Sequence, residues 1–310
     1  MALVILKQAV LMLLLMLVGV IAYETKIVSK EGGREFSNFV LEIVTPVLVV
    51  NAYADVEYDS DLVVNLLWTF LLAAVSHGIA IGIAYLCVRD KPDRETRIER
   101  FSAIYSNCGF MGFPLAEALL GSEGVFYCSA YLTMFFAFSW SHGIMMLTGE
   151  RDWKALLKKM TSPTIIGIVI GLLLFFLQID LPDVLQSTLD YVSDLNTPMA
   201  MVAAGISVAQ SKIWEGIKNP RVYYVSAVKL VFIPLVLAVL LAPMTFISED
   251  VRTVVLVLSA APSAGMCTLQ CQKRGMNDGY ASQIFAICTL LSTLTMPLMV
   301  QIFTFLTDLF

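Results

Sequence analysis

Ten apolar segments run along the chain, near residues 2–23, 36–54, 62–88, 101–120, 124–147, 162–179, 192–210, 221–242, 253–271 and 280–306. Each approaches the roughly 20 residues that a helix needs to cross about 30 Å of hydrocarbon. The pattern predicts an all-α polytopic membrane protein with ten transmembrane helices. The second, fourth, seventh and ninth segments hold enough polar or helix-breaking residues that they should face protein rather than lipid. The first lacks a clear basic n-region and a small-x-small cleavage site, so it reads as a membrane helix and not as a signal peptide.

Two of these segments are interrupted mid-span. The fourth contains Ser106-Asn107-Cys108-Gly109-Phe110-Met111-Gly112-Phe113-Pro114, and the ninth contains Ala261-Pro262-Ser263-Ala264-Gly265. Broken helices persist at membrane depth only where protein or a water-filled cavity satisfies their backbone. Interruptions at matching places in two halves point to a transporter's binding site.

Composition agrees with the pattern. Of 310 residues, 58% are hydrophobic and 15% charged, with a mean hydropathy of +0.79; soluble domains carry roughly 25% charge. Basic residues set the orientation. They follow spans 1 (Lys26, Lys30, Arg34), 3 (Arg89, Lys91, Arg94, Arg97, Arg100), 5 (Arg151, Lys154, Lys158, Lys159), 7 (Lys212, Lys218, Arg221) and 9 (Lys273, Arg274). The opposite side carries Arg252 but collects Asp55, Glu57, Asp59, Asp61, Asp180, Asp183, Asp190 and Asp194. Both termini are therefore expected outside the cytoplasm, in a multi-pass plasma (inner) membrane protein. The net charge of −5 adds little to this asymmetry.

The order of features repeats. Thr45-Pro46 in span 2 matches Thr197-Pro198 in span 7, and each is followed by an interrupted span and then by a glycine, Gly124 or Gly279, that opens the next. Five spans per half force opposite orientations, so residues 1–150 and 151–310 are expected to form two inverted five-helix repeats with crossing broken helices. Related halves that exchange conformations would expose one site to either side in turn.

The breaks suggest the chemistry. The second half of an interrupted helix starts with free amides and partial positive charge, which suits an anion. Asn107 is the leading ligand, since its side-chain amide can donate to a carboxylate. Ser106 and Ser263 offer hydroxyls, while Gly109, Gly112 and Gly265 allow close approach. Pro262 removes a backbone donor, and Pro114 reads as a structural kink. Lys229 lies eight residues past Arg221, about 12 Å into its span, and is open to a coupling, counter-ion or carbonyl-pairing role. Gln283 and Thr289 are candidate lining residues, with Ser292 beside them. His77 and His142 read as hydrogen-bonded packing residues, and six cysteines inside spans read as small apolar ones. No metal-ligand spacing, cofactor or nucleic-acid partner is expected. Residues 152–159 read as a basic amphipathic helix lying on anionic lipid.

Thr45-Pro46, "SNCGFMGFPL", "NTPMAMVAAGISVAQ" and "SAAPSAGMCTLQCQKRG" followed by "ASQIFAICTLLSTLTMPL" resemble the auxin efflux carrier family, which includes bacterial permeases, malonate-carrier-like members among them, and plant carriers. The resemblance runs over nearly the whole chain. It implies a fold like that of bile-acid/sodium symporters. Spans 1, 2, 6 and 7 would form a scaffold, and spans 3–5 and 8–10 a moving transport domain in a homodimer. It also implies that Asn107 occupies the position that contacts the substrate carboxylate. The chain departs from the family at Ser106, where a proline is usual, so the first break is expected to rest on Gly109 and Gly112.

The function expected is secondary transport of small organic anions, carboxylates above all, by elevator-type alternating access. A transporter-like sensor that binds a small anion without flux is the alternative. No nucleophile–base or metal constellation points to an enzyme.

Overall fold

The computed structural model describes residues 2–91, 95–149, 154, 157, 161–211 and 213–310. Arg94, Arg151, Lys158, Lys159, Lys212 and most of the basic stretch 152–159 lie outside the described residues. The helices are α1 (Ala2–Glu24), α2 (Lys30–Ala54), α3 (Ser60–Cys87), α4 (Thr96–Ile104) and α5 (Cys108–Thr148), then α6 (Pro163–Leu177), α7 (Asp183–Asp194), α8 (Asn196–Ala209) and α9 (Ile213–Ile217). They continue with α10 (Pro220–Leu241), α11 (Glu249–Ala260), α12 (Met266–Lys273) and α13 (Asp278–Thr307). Among the described residues the only extended pairing is an isolated antiparallel bridge between Ser106 and Ser263.

Among the described residues, six helices (α1, α2, α3, α5, α10 and α13) are long and apolar enough to cross a membrane alone. The protein is thus an all-helical membrane protein. The other expected spans are built differently. The sixth is the 15-residue apolar α6. The seventh is α7 and α8 joined at Leu195, and so starts earlier than its apolar pattern suggests. The ninth is α11 and α12 with an extended gap. The fourth and fifth share α5, which is not straight. Gly121 has φ 58° and ψ −140°, a conformation open in practice only to glycine. A Cβ on Gly124 would fall 2.1 Å from the Ala116 carbonyl oxygen, although eight residues of straight helix would separate them by about 12 Å. The chain therefore folds back on itself at Gly121, where the sequence pattern placed the boundary between spans.

Prolines sit one position inside regular helix, directly after a widened π turn. The pairs are Val40–Val44 before Pro46, Cys108–Gly112 before Pro114, and Val228–Phe232 before Pro234. A proline clashes with the carbonyl four residues back and lacks its own N–H. Here those carbonyls belong to Glu42, Phe110 and Leu230, all inside the π turns, which absorb the misfit. Lys229 lies in one of these turns.

Helices α1 and α8 touch backbone to backbone. A Cβ on Gly19 would lie 2.1 Å from the Val202 oxygen, and one on Gly205 would lie 2.0 Å from the Met16 oxygen. Small residues allow such approach where no hydrophobic effect drives helices together. A core of Met12, Met16, Met201 and Ala204 continues from this seam onto Met111 and Ala261, at either side of the two breaks. The spacing Gly167–Gly171 serves the same purpose on α6, against Pro46 and Tyr53, whereas Gly78–Gly82 on α3 has nothing within 4 Å of either Cβ position.

Candidate functional site

The two interruptions meet. Helix α4 ends at Ile104, and Tyr105 is extended at φ −93° and ψ 117°. Helix α11 ends at Ala260, and Ala261 is extended at φ −57° and ψ 149°, as a residue before proline prefers. The extended strips run antiparallel: the Asn107 amide donates to the Pro262 carbonyl at 2.7 Å, and the Ala264 amide donates to the Tyr105 carbonyl at 2.9 Å. The Ser263 amide donates to Cys288 Sγ at 3.3 Å. Each break thus satisfies the other, as an unwound segment away from water must.

This corrects one reading of the sequence. The first break lies at Tyr105–Asn107, ahead of the glycines, although no proline starts it; Gly109 and Gly112 belong to the helix that resumes at Cys108. The amides of Asn107, Ser263 and Ala264, within the extended gaps, are engaged by partners on other segments. Two side chains at the breaks also carry unpartnered polar atoms. Asn107 Nδ2 and Ser263 Oγ are buried without a hydrogen-bond partner, with Asn107 8% and Ser263 1% exposed.

Lys229 reaches the same place from α10. It is 1% exposed, and its ammonium donates to Ser106 Oγ at 3.0 Å and to the Ser259 carbonyl at 3.1 Å. It therefore clamps the first break to the last turn of α11. His77 from α3 approaches the same region and packs against Tyr131 and Phe138, with ring centroids 5.1 and 5.3 Å away. Its Nδ1 lies 2.7 Å from the Ala73 carbonyl. His142 lies 2.9 Å from the Tyr105 hydroxyl. Both histidines sit among aromatic rings, each with one hydrogen bond.

The remaining candidates divide. Ser106, Asn107, Pro262 and Ser263 are brought together. A Cβ at Gly109 would have only Leu132, at 4.0 Å, and one at Gly265 would meet Phe285 at ordinary contact distance. At Gly112 it would sit 2.4 Å from Leu258 Cδ2, so this glycine lets α5 and α11 pack. Thr289 is fully buried, its hydroxyl without a partner, one residue beyond Cys288. Gln283 is elsewhere: it donates to Glu215 at 3.2 Å, about a turn and a half before Cys288 on α13. Pattern reading missed Cys288 and the Ser259 carbonyl, since a thiol in an apolar helix reads as a small hydrophobe.

Two clefts open at element ends rather than at the crossing. One, of about 410 Å³, is lined by Asp55, Glu57, Asp59, Leu62, Ser122 and Glu123 among others. The other, of about 360 Å³, is lined by Glu215, Asn219, Asn277, Gly279, Tyr280 and Gln283. In the first, Ser122 donates to Asp55 at 3.3 Å. Gln186 also donates to Asp55, at 3.0 Å. Burial first and the neighbouring Asp190 second push the Asp55 carboxyl above its ordinary value.

On the side that carries most basic residues, Glu99 is 1% exposed. It receives two hydrogen bonds from Arg221, at 2.8 and 2.6 Å, and a third from the Tyr280 hydroxyl at 2.9 Å. This forked pair ties α4, α10 and α13 together.

Comparison with known proteins fits this architecture. The membrane transport protein family matches residues 4–153 and 152–300. An uncharacterized transporter of Methanothermobacter thermautotrophicus is 23% identical over 297 residues, covering 92% of this chain and 94% of the relative. Another uncharacterized transporter, from Methanocaldococcus jannaschii, is 25% identical over 219 residues, covering 67% and 70%. With matches that together span nearly its whole length, the chain belongs to the membrane transport protein family, the auxin efflux carrier family that its two broken-helix motifs resemble.

Proposed function

We propose that the protein is a secondary transporter of small organic anions, carboxylates above all, that works by elevator-type alternating access around the crossing of α4–α5 with α11–α12. The observation that carries this reading is the antiparallel meeting of two unwound segments at Ser106 and Ser263. Buried donors without partners stand beside it on Asn107 and Ser263. Unwound backbone costs stability in a membrane, and transporters place it where substrate binds. Asn107 Nδ2 donates to the carboxylate, the Ser263 hydroxyl assists, and Ser106 and Pro262 hold the two breaks in register.

The two clefts support the inverted arrangement. One joins the loop after span 2 to the turn after span 4, and the other joins the loop after span 7 to the turn after span 9. These are corresponding places in residues 1–150 and 151–310, and inversion puts them on opposite faces of the membrane. Each is bridged by a carboxylate from the earlier loop, Asp55 to Ser122 and Glu215 to Gln283. In this reading the crossing is closed to both faces, and each cleft is the end of one access route. The chain lies in the inner membrane with both termini outside the cytoplasm.

Counterflow in proteoliposomes tests the proposal. Vesicles preloaded with butyrate or phenylacetate should accumulate the labelled compound transiently, and Asn107→Ala should reduce that accumulation at least about tenfold, the loss of one charge-assisted hydrogen bond. Saturable binding without any flux would instead make the protein a sensor.

A further inference from the structure

The Lys229 ammonium is the least expected group in the molecule. It is fully enclosed, and its two hydrogen bonds go to neutral acceptors, Ser106 Oγ and the Ser259 carbonyl. Among the described residues no carboxylate pairs with it. The titratable groups near enough to sense it are His77 on α3, Cys108 at the start of α5 and Cys288 on α13; Tyr131 shares its acceptor Ser106. None of these supplies a negative charge at neutral pH under ordinary conditions. Buried charges are paired, or they are costly. One residue along from Ser106, which Lys229 holds, is Asn107, whose side-chain amide is buried and unpartnered. The cluster sets one positive charge on two neutral acceptors near an unpartnered donor, and among the described residues it lacks an acceptor that is negative.

We infer that Lys229 is the fixed countercharge of the transported anion and that it sets the charge class of the substrate: the crossing accepts a monoanion and discriminates against both dianions and neutral isosteres. This rests on the proposed anion transport at the same crossing. A monocarboxylate bound between Lys229 and Asn107 leaves the cluster neutral. A dicarboxylate leaves one negative charge in a medium of low dielectric, and an amide leaves the ammonium unpaired. Ser106 has the positioning part, since its hydroxyl holds the ammonium against the first break.

The test uses purified full-length protein and thermal-shift titration, which reads binding without requiring flux. The probes are butyrate, succinate and butyramide, with phenylacetate and phenylacetamide as a larger pair. Wild type should rank each monocarboxylate above its amide, and butyrate above succinate. In Lys229→Gln the advantage of acid over amide should shrink at least about tenfold, the loss of a charge-assisted bond, while Lys229→Arg should retain most of it. Lys229→Met should be at least as stable as wild type without ligand, because it removes an unpaired buried charge. An unchanged acid-to-amide ratio in Lys229→Gln, or a loss of stability in Lys229→Met with the ratio intact, would make Lys229 a structural clamp and overturn the inference. Failure of every carboxylate to bind wild type would refute the anion reading itself.

Discussion

Gly205 offers the sharpest test of how the helices are packed. A methyl group there would lie 2.0 Å from the Met16 carbonyl oxygen, whereas carbon and oxygen without a strong bond between them approach to about 3.3 Å. Helices α1 and α8 would have to part by roughly 1.3 Å at that point. A gap of 0.5–1 Å already forfeits a quarter to a half of each contact's roughly 0.15 kcal/mol. If parting the seam around Met12, Met16, Met201 and Ala204 weakens as many contacts as one buried leucine makes, about fifty, the loss is about 3 kcal/mol, at the upper end of measured overpacking costs. Gly205→Ala should therefore lower the midpoint of thermal unfolding in detergent by about 5 °C or more. Gly82→Ala is the matched control: nothing lies within 4 Å of its Cβ position, and alanine is the better helix former by about 1 kcal/mol. That variant should be neutral or more stable. Equal midpoints for Gly205→Ala and wild type would refute the close seam, as would greater damage from Gly82→Ala.

Other outcomes follow from the ionic groups. Arg221→Gln strips the fork from the buried Glu99 carboxylate and leaves the Tyr280 hydroxyl, so it should destabilise by about 3 kcal/mol. Adding Glu99→Gln to that variant should recover part of the loss in the same melting assay. Asp55 is pushed above the usual carboxylate value of 3.8 in the folded protein, so the native state holds its proton more tightly than the unfolded chain does. Stability should then fall as pH rises through the weakly acidic range above 3.8, and be restored below it. Asp55→Asn should flatten that slope and raise the melting midpoint at neutral pH; an unchanged profile would show that Asp55 does not set it.

Much of this architecture is legible in the residues. Apolar length finds α1, α2, α3, α10 and α13 directly, and the Gly121–Gly124 turn falls where the fourth and fifth segments separate. The breaks are legible because proline and small polar residues stand where lipid would forbid free backbone. Their inner geometry is not. Asn107, Ser263 and Ala264 direct their amides into partners on other segments, and no local pattern foretells which segment will lie alongside. Gly112 illustrates the same limit. Glycine marks a close approach, but only the fold says that the neighbour is Leu258. Gln283, polar in an apolar helix, reads as lining, but only the fold shows that it lines an end cleft and bonds Glu215 there, since polarity alone does not fix depth along a 30-residue helix. Lys229 could be placed near mid-span by counting, but its clamp on Ser106 required three helices to be in position.

The most direct test of the account is a structure of the protein with a bound monocarboxylate such as phenylacetate. The account predicts density for the carboxylate within hydrogen-bond distance of Asn107 Nδ2 and close to the Lys229 ammonium, at the crossing of the two breaks. Density confined to either end cleft, with the Ser106–Ser263 bridge and its buried donors unchanged, would contradict it.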